Sequence, residues 1–221
     1  MLFILQNMKI IIFKNYKRLG DIMKDVKDFE EKLIKRNISA SDYSLKEIDD
    51  VAYDLLNIFD IFNKKTSIPI VKIVKAFNFK TYTESLSDKL SGDIYINGDT
   101  KQKYGHNKII LVNKKESFFH QRFVIAHELA HYLFDFLGKN KYLDSLIKFS
   151  DTYYKNQHET PEEKRANRFA ASLLMPEKIF IEQYNIAKKV DCNELFVILY
   201  LSQFFQTPTD SIEKRIWEVI N

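Results

Sequence analysis

The chain has 221 residues, 45% of them hydrophobic and 14% aromatic, enough to bury a substantial core in one domain with appendages or in two small ones. Lys plus Arg number 34 against 30 Asp plus Glu, with both signs interleaved, so the net charge of +4 offers no electrostatic footprint for nucleic acid. The single cysteine, Cys192, excludes an internal disulfide and suits a reducing cytosol, so a cytoplasmic protein with Cys192 as a small core residue is expected.

Residues 1–13 form an apolar run interrupted by Gln6, Asn7 and Lys9. The run is too short to span a bilayer and lacks a basic leading region, so it reads as a strand or packed arm, and no membrane partner is expected. Residues 14–37 carry mixed charges around sparse apolar positions, the pattern of a solvated helix loosely attached to the rest. Residues 1–40 are therefore set apart as an N-terminal arm whose role the sequence does not reveal.

A compact domain, residues 41–190, opens with Ser44-Leu45-Lys46-Glu47, which has the form of a capping box. Ile48, Val51, Ala52, Leu55, Leu56 and Phe59 follow at helical spacing and predict one buried stripe. A second helix is predicted from about Pro69 through Ile70, Ile73, Val74 and Phe77. Segments 79–83, 92–97 and 108–113 are rich in β-branched and aromatic residues, and the stretches between them hold Gly92, Gly98, Asp99 and Gly105. They predict a sheet of about three strands.

Ser117 can cap the next helix, which is apolar nearly all round and should lie in the core before stopping at Gly138. It carries His127-Glu128-Leu129-Ala130-His131, a match to the HExxH zinc-peptidase motif. Imidazoles four residues apart on a helix project from one face, one turn apart, so both can bind a single Zn²⁺ while the intervening glutamate serves as general base. Such a site needs a third protein ligand and one open position for water. A metzincin would place Gly at 134 and a ligand at 137, but Phe134 and Leu137 stand there, so the third ligand should come from a later helix.

Thr160-Pro161 opens that helix, and Met175-Pro176 ends it. Of the acids at its start, Glu163 shares a face with Ala166, Asn167, Ala170 and Leu174, the side expected to pack on the histidines. Glu159 is the reserve ligand, and His158 comes after it. Against the ligand role stands a capping reading, in which Thr160-Pro161-Glu162-Glu163 is a box and Glu163 folds back onto Thr160. Asn167 reads equally well as an amide orienting a ligand or as a polar tie between helices. Tyr132, Tyr153, Tyr154 and His158 are candidate donors to an oxyanion, Arg122 is expected to brace the helix by a salt bridge, and His106 and His120 should lie on the surface. Helices at 177–189 and 191–205 follow, then Thr207-Pro208 and a last helix with Ile212, Ile216, Val219 and Ile220. Residues 191–221 are taken as a C-terminal helical pair resembling a helix-turn-helix.

The string Arg122-Phe123-Val124-Ile125-Ala126-His127-Glu128-Leu129-Ala130-His131 together with residues 163–176, EKRANRFAASLLMP, resembles the ImmA/IrrE family of zinc metallopeptidases. The Leu90-Ser91-Gly92 turn and Ile109-Ile110-Leu111-Val112-Asn113 ahead of the helix look like the family too. The likeness covers roughly residues 44–190 and implies an α+β, zincin-like fold, mostly helical, with its small sheet packed on the HExxH helix. It implies His127, His131 and Glu163 as Zn²⁺ ligands and Glu128 as the catalytic acid/base, the four residues that the spacing also selects.

The reaction implied is hydrolysis of a peptide bond in a protein substrate, regulatory in purpose, such as a transcriptional repressor. The alternative is a DNA-binding or protein-interaction regulator with an inactive peptidase-like domain. Direct DNA binding through the C-terminal helices is disfavoured, because the would-be recognition helix carries Asp210, Glu213 and Glu218 against Lys214 and Arg215.

Overall fold

The computed structural model describes residues 19–36, 43–63, 67–96, 99–137 and 160–220. Helix α1 (Leu19–Arg36) and helix α2 (Leu45–Ile58) come first, and a 3₁₀ turn (Ile61–Asn63) leads to α3 (Ile70–Ala76). Ser44 caps α2 with a complete capping box, its side chain accepting from the Glu47 N–H while the Glu47 carboxylate receives the Ser44 backbone N–H. The stripe predicted for α2, Ile48, Val51, Ala52, Leu55 and Leu56, is buried. Helix α1 is more firmly attached than its composition suggested. Val26, Phe29 and Leu33, spaced three and four apart, all enter the main core.

Strands β1 (Lys80–Glu84), β2 (Gly92–Ile96) and β3 (Lys108–Asn113) form a sheet of order β1-β3-β2. β1 runs parallel to β3, with Tyr82 opposite Leu111, and β2 runs antiparallel to it, with Ile94 opposite Ile110. β3, the central strand, is buried from Ile109 to Asn113, as its unbroken apolar run requires. A short helix that the sequence reading missed, α4 (Asp99–Tyr104), lies between β2 and β3.

Helix α5 (Phe118–His131) packs on β2 and β3, and most extensively on α6 (Pro161–Leu174). Ser117 caps α5 as expected, and every residue from Arg122 to His131 is buried. A π turn (Tyr132–Phe136) follows His131 directly and closes with the Leu137 N–H donating to the Tyr132 carbonyl at 2.9 Å. Gly138, the expected stop, lies outside the described residues, as do residues 1–18.

Helices α7 (Glu177–Val190), α8 (Glu194–Phe205) and α9 (Thr209–Ile220) complete the chain. The architecture is thus the expected one, a mainly helical α+β fold with a small mixed sheet against the histidine helix. Among the described residues no helix is long and apolar enough to cross a membrane.

Three smaller expectations are corrected. Cys192 is exposed, because it sits in the α7–α8 connection and not on a packed helix face. His106 and His120 are half-buried. Arg122 does brace α5, but through carbonyls: its Nη2 donates to Ile68 O at 2.7 Å and its Nε to Gln206 O at 3.1 Å.

Candidate metal centre

One helical turn separates His127 from His131, and their Nε2 atoms face each other 3.0 Å apart inside the core. Glu163 meets them from the first turn of α6. Its Oε2 lies 3.2 Å from His127 Nε2, and its Oε1 lies 3.4 Å from His131 Nε2. One ligand atom from each of the three residues can be chosen so that all lie within 4.8 Å of one another.

Local sequence explains the arrival of Glu163. Pro161 occupies the first turn of α6, where its missing N–H costs nothing, and the Thr160 hydroxyl accepts from the Glu163 N–H at 3.3 Å. The capping and ligand readings therefore separate by atom. The backbone of Glu163 is capped by Thr160, while its carboxylate turns to the imidazoles.

Each imidazole is also held from behind. His127 Nδ1 lies 3.0 Å from Asn167 Oδ1, one turn beyond Glu163, a contact that serves both readings of that amide by meeting the ring and tying α6 to α5. His131 Nδ1 lies 2.9 Å from Asp135 Oδ2, and the other oxygen of Asp135 receives Nη2 of Arg165. A carboxylate accepts only, so the ring proton of neutral His131 sits on Nδ1 and its Nε2 turns a lone pair inward. Burial pushes the pKa of His127 below its ordinary value, outweighing the Glu163 carboxylate beside it and favouring the neutral ring.

With His127 in the Nδ1–H tautomer that Asn167 Oδ1 can accept, two inward lone pairs and a carboxylate converge, an arrangement that repels itself. A divalent cation fits there, and the donor set of two nitrogens and one carboxylate is the kind that Zn²⁺ accepts. Glu128 remains outside this trio. It is buried, and a Cβ placed on Gly92 of β2 would lie 3.4 Å from its Oε1.

Of the other predicted residues, Tyr132 is directed elsewhere. Its hydroxyl donates to Glu30 at 2.6 Å and accepts from Lys108 at 2.7 Å, tying α1 to the sheet. Tyr153, Tyr154, His158 and Glu159 lie outside the described residues. The sequence reading missed Asp135 and Arg165. Asp135 follows His131 by four residues, a spacing that could have flagged it; Arg165 has no comparable signal.

Comparison with known proteins places these residues in context. A family profile described as the IrrE N-terminal-like domain, Peptidase_M78, matches residues 75–216, more than half of the chain. A solved Mycobacterium tuberculosis transcriptional regulator matches with a TM-score of 0.47 and 16% identity, over 87% of this chain and 51% of its own. The chain thus spans about half the length of that protein. Among curated proteins there is no significant match.

Proposed function

The chain belongs to the IrrE N-terminal-like family of metallopeptidase domains, and from that premise we propose that it is a zinc-dependent endopeptidase cutting a specific protein substrate. The observation that carries this reading is the convergence of His127, His131 and Glu163 from two helices, with one ligand atom of each within 4.8 Å of the others. Those three residues would hold Zn²⁺. When bound, the cation supplies Lewis acidity, acidifying a water and polarising a carbonyl.

The protein's own groups do the rest. Glu128, next to His127 on α5, takes the proton from the attacking water and delivers it to the leaving amine. Its burial against β2 shields that proton from bulk solvent. Among the described residues β2 pairs with β3 along one edge, so its other edge can receive an extended peptide beside Glu128.

Proteolysis at a single place in a regulatory protein, such as a transcriptional repressor, in the cytoplasm, is the role we assign. The domain limits we propose follow the same reading: residues 1–40 an N-terminal segment whose helix α1 packs on the main core, 41–190 the peptidase and 191–221 a helical extension. The decisive experiment uses purified protein and repressor-class substrates encoded nearby. Glu128→Gln should retain zinc but lose about 10²- to 10⁴-fold in cleavage, whereas His127→Ala should lose both. Undiminished cleavage by Glu128→Gln protein would remove the mechanism.

A further inference from the structure

Asp135 divides its carboxylate between the two helices of the centre. Oδ2 faces Nδ1 of His131, four residues back on the same helix, and Oδ1 receives Arg165 from α6. Arg165 is 4% exposed, and its guanidinium stands 5.4 Å from the centre of the Phe134 ring. The π turn that begins after His131 carries both Asp135 and Phe134, so one irregular turn presents the ring's acceptor and the platform for the acceptor's cation.

The partner of His127 differs in kind. Asn167 is a neutral amide that can present either its oxygen or its nitrogen, so by itself it leaves the ring two options. Asp135 leaves His131 one. Arg165 in turn leaves the carboxylate one orientation, and it sits two residues after Glu163, so the same pair that orients the ring also sets the register of α6 on α5.

We propose that Asp135, clamped by Arg165, is a positioning pair that locks His131 in the Nδ1–H tautomer and aligns its Nε2 with Glu163. The pair touches neither substrate nor reacting atoms and acts only through His131. This inference rests on the reading of His127, His131 and Glu163 as a metal site.

Two measurements on the purified full chain test it. In the first, long-range ¹H–¹⁵N correlation of the imidazoles without metal should show the His131 proton on Nδ1 in the parent protein, whereas in Asp135→Asn the donor-only Arg165 claims the single amide oxygen, the NH₂ faces Nδ1 and the proton should move to Nε2. In Asp135→Ala the proton should move to Nε2 or be shared. In the second, Zn²⁺ affinity measured against a competing chelator should fall about 10- to 100-fold in Asp135→Ala and also fall in Asp135→Asn. Arg165→Gln should weaken zinc in the same direction while His131 keeps its side chain.

Parent-like zinc affinity together with a retained Nδ1 proton in Asp135→Ala would overturn the proposal and leave the pair as a helix tie. A parent protein that binds no zinc would instead defeat the metal-site reading, and the tautomer would still decide the role of Asp135. If Asp135→Ala does not fold, as judged by its thermal transition, Asp135→Asn and Arg165→Gln carry both measurements. Unchanged zinc affinity in those two variants would then overturn the proposal.

Discussion

Gly92 and Glu128 meet where β2 crosses α5. A Cβ on Gly92 would lie 2.2 Å from Val124 Cγ1, 3.1 Å from the Leu111 carbonyl oxygen and 3.4 Å from Glu128 Oε1. Val124 is β-branched and fixed on a buried helix, so it cannot swing aside, and the strand and helix must part. Gly92→Ala is therefore expected to cost about 1–3 kcal/mol in stability. At about 2–4 °C per kcal/mol in a chain of this size, the thermal midpoint should fall by several degrees. A midpoint equal to that of the parent protein would show that the approach is looser than these distances.

Metal binding should be visible in stability before any substrate is known. A cation that binds the folded chain at one hundred times its dissociation constant adds about 2.7 kcal/mol, or a rise on the order of 5–10 °C in the thermal midpoint. Zn²⁺ should produce that rise and a chelator should reverse it. Glu163→Ala and His131→Ala should abolish the rise, while Glu128→Gln should keep it, because Glu128 stands outside the trio. A zinc-induced rise that survives Glu163→Ala would exclude Glu163 as a ligand.

Much of this arrangement was legible in the sequence because its cues are local. Ser44, Ser117 and Thr160 each precede a helix whose N–H groups they cap, and the four-residue spacing of His127 and His131 fixes their shared face. What escaped depends on contacts between segments distant in sequence or on irregular backbone. Asp135 reaches His131 from a π turn, and no apolar period announces a π turn. Arg165 meets Asp135 across two helices, 30 positions apart. Gly92 looked like a strand boundary, and only the packing of β2 on α5 shows it as a point of close approach. Helix α1 was underrated for a related reason: three apolar residues among many charges sufficed, because they fall on one face.

The capping box of α2 gives a pH-dependent expectation. The Ser44 hydroxyl and then the Ser44 backbone N–H donate to the Glu47 carboxylate and hold its pKa below the ordinary value. A carboxyl with a depressed folded pKa stabilises the fold above its unfolded value, and the contribution is lost as pH falls through the folded value. Glu47→Gln keeps the form of the box without its charge, so it should be slightly less stable than the parent at neutral pH and converge with it in acid, a shallower decline. Ser44→Ala should instead cost about 1 kcal/mol at neutral pH. Parallel pH profiles for the parent and Glu47→Gln proteins would count against the linkage.

The C-terminal helices should not act on DNA, and the reason lies in where their cations point. Arg215 is 1% exposed, with its Nε on the Met175 carbonyl at 3.2 Å and its Nη1 3.2 Å from Glu218. Arg168 of α6 reaches the same Glu218 at 2.7 Å and grips Asp49 of α2 with two nitrogens, so the charges of α9 are turned inward to join three helices. On α9 this leaves Lys214 as an exposed cation beside exposed Asp210 and Glu213. Each phosphate contact contributes about −0.9 to the slope of log affinity against log salt concentration. Any share of duplex DNA retention that neutralising α9 removes should therefore account for a slope of no more than about −1. Arg168→Ala should remove charge-assisted hydrogen bonds each worth about 1.5–3 kcal/mol and open α8 and α9 to hydrogen exchange. A slope of several units that is lost on neutralising Lys214 would instead make the helical pair a phosphate reader and return the regulator hypothesis to first place.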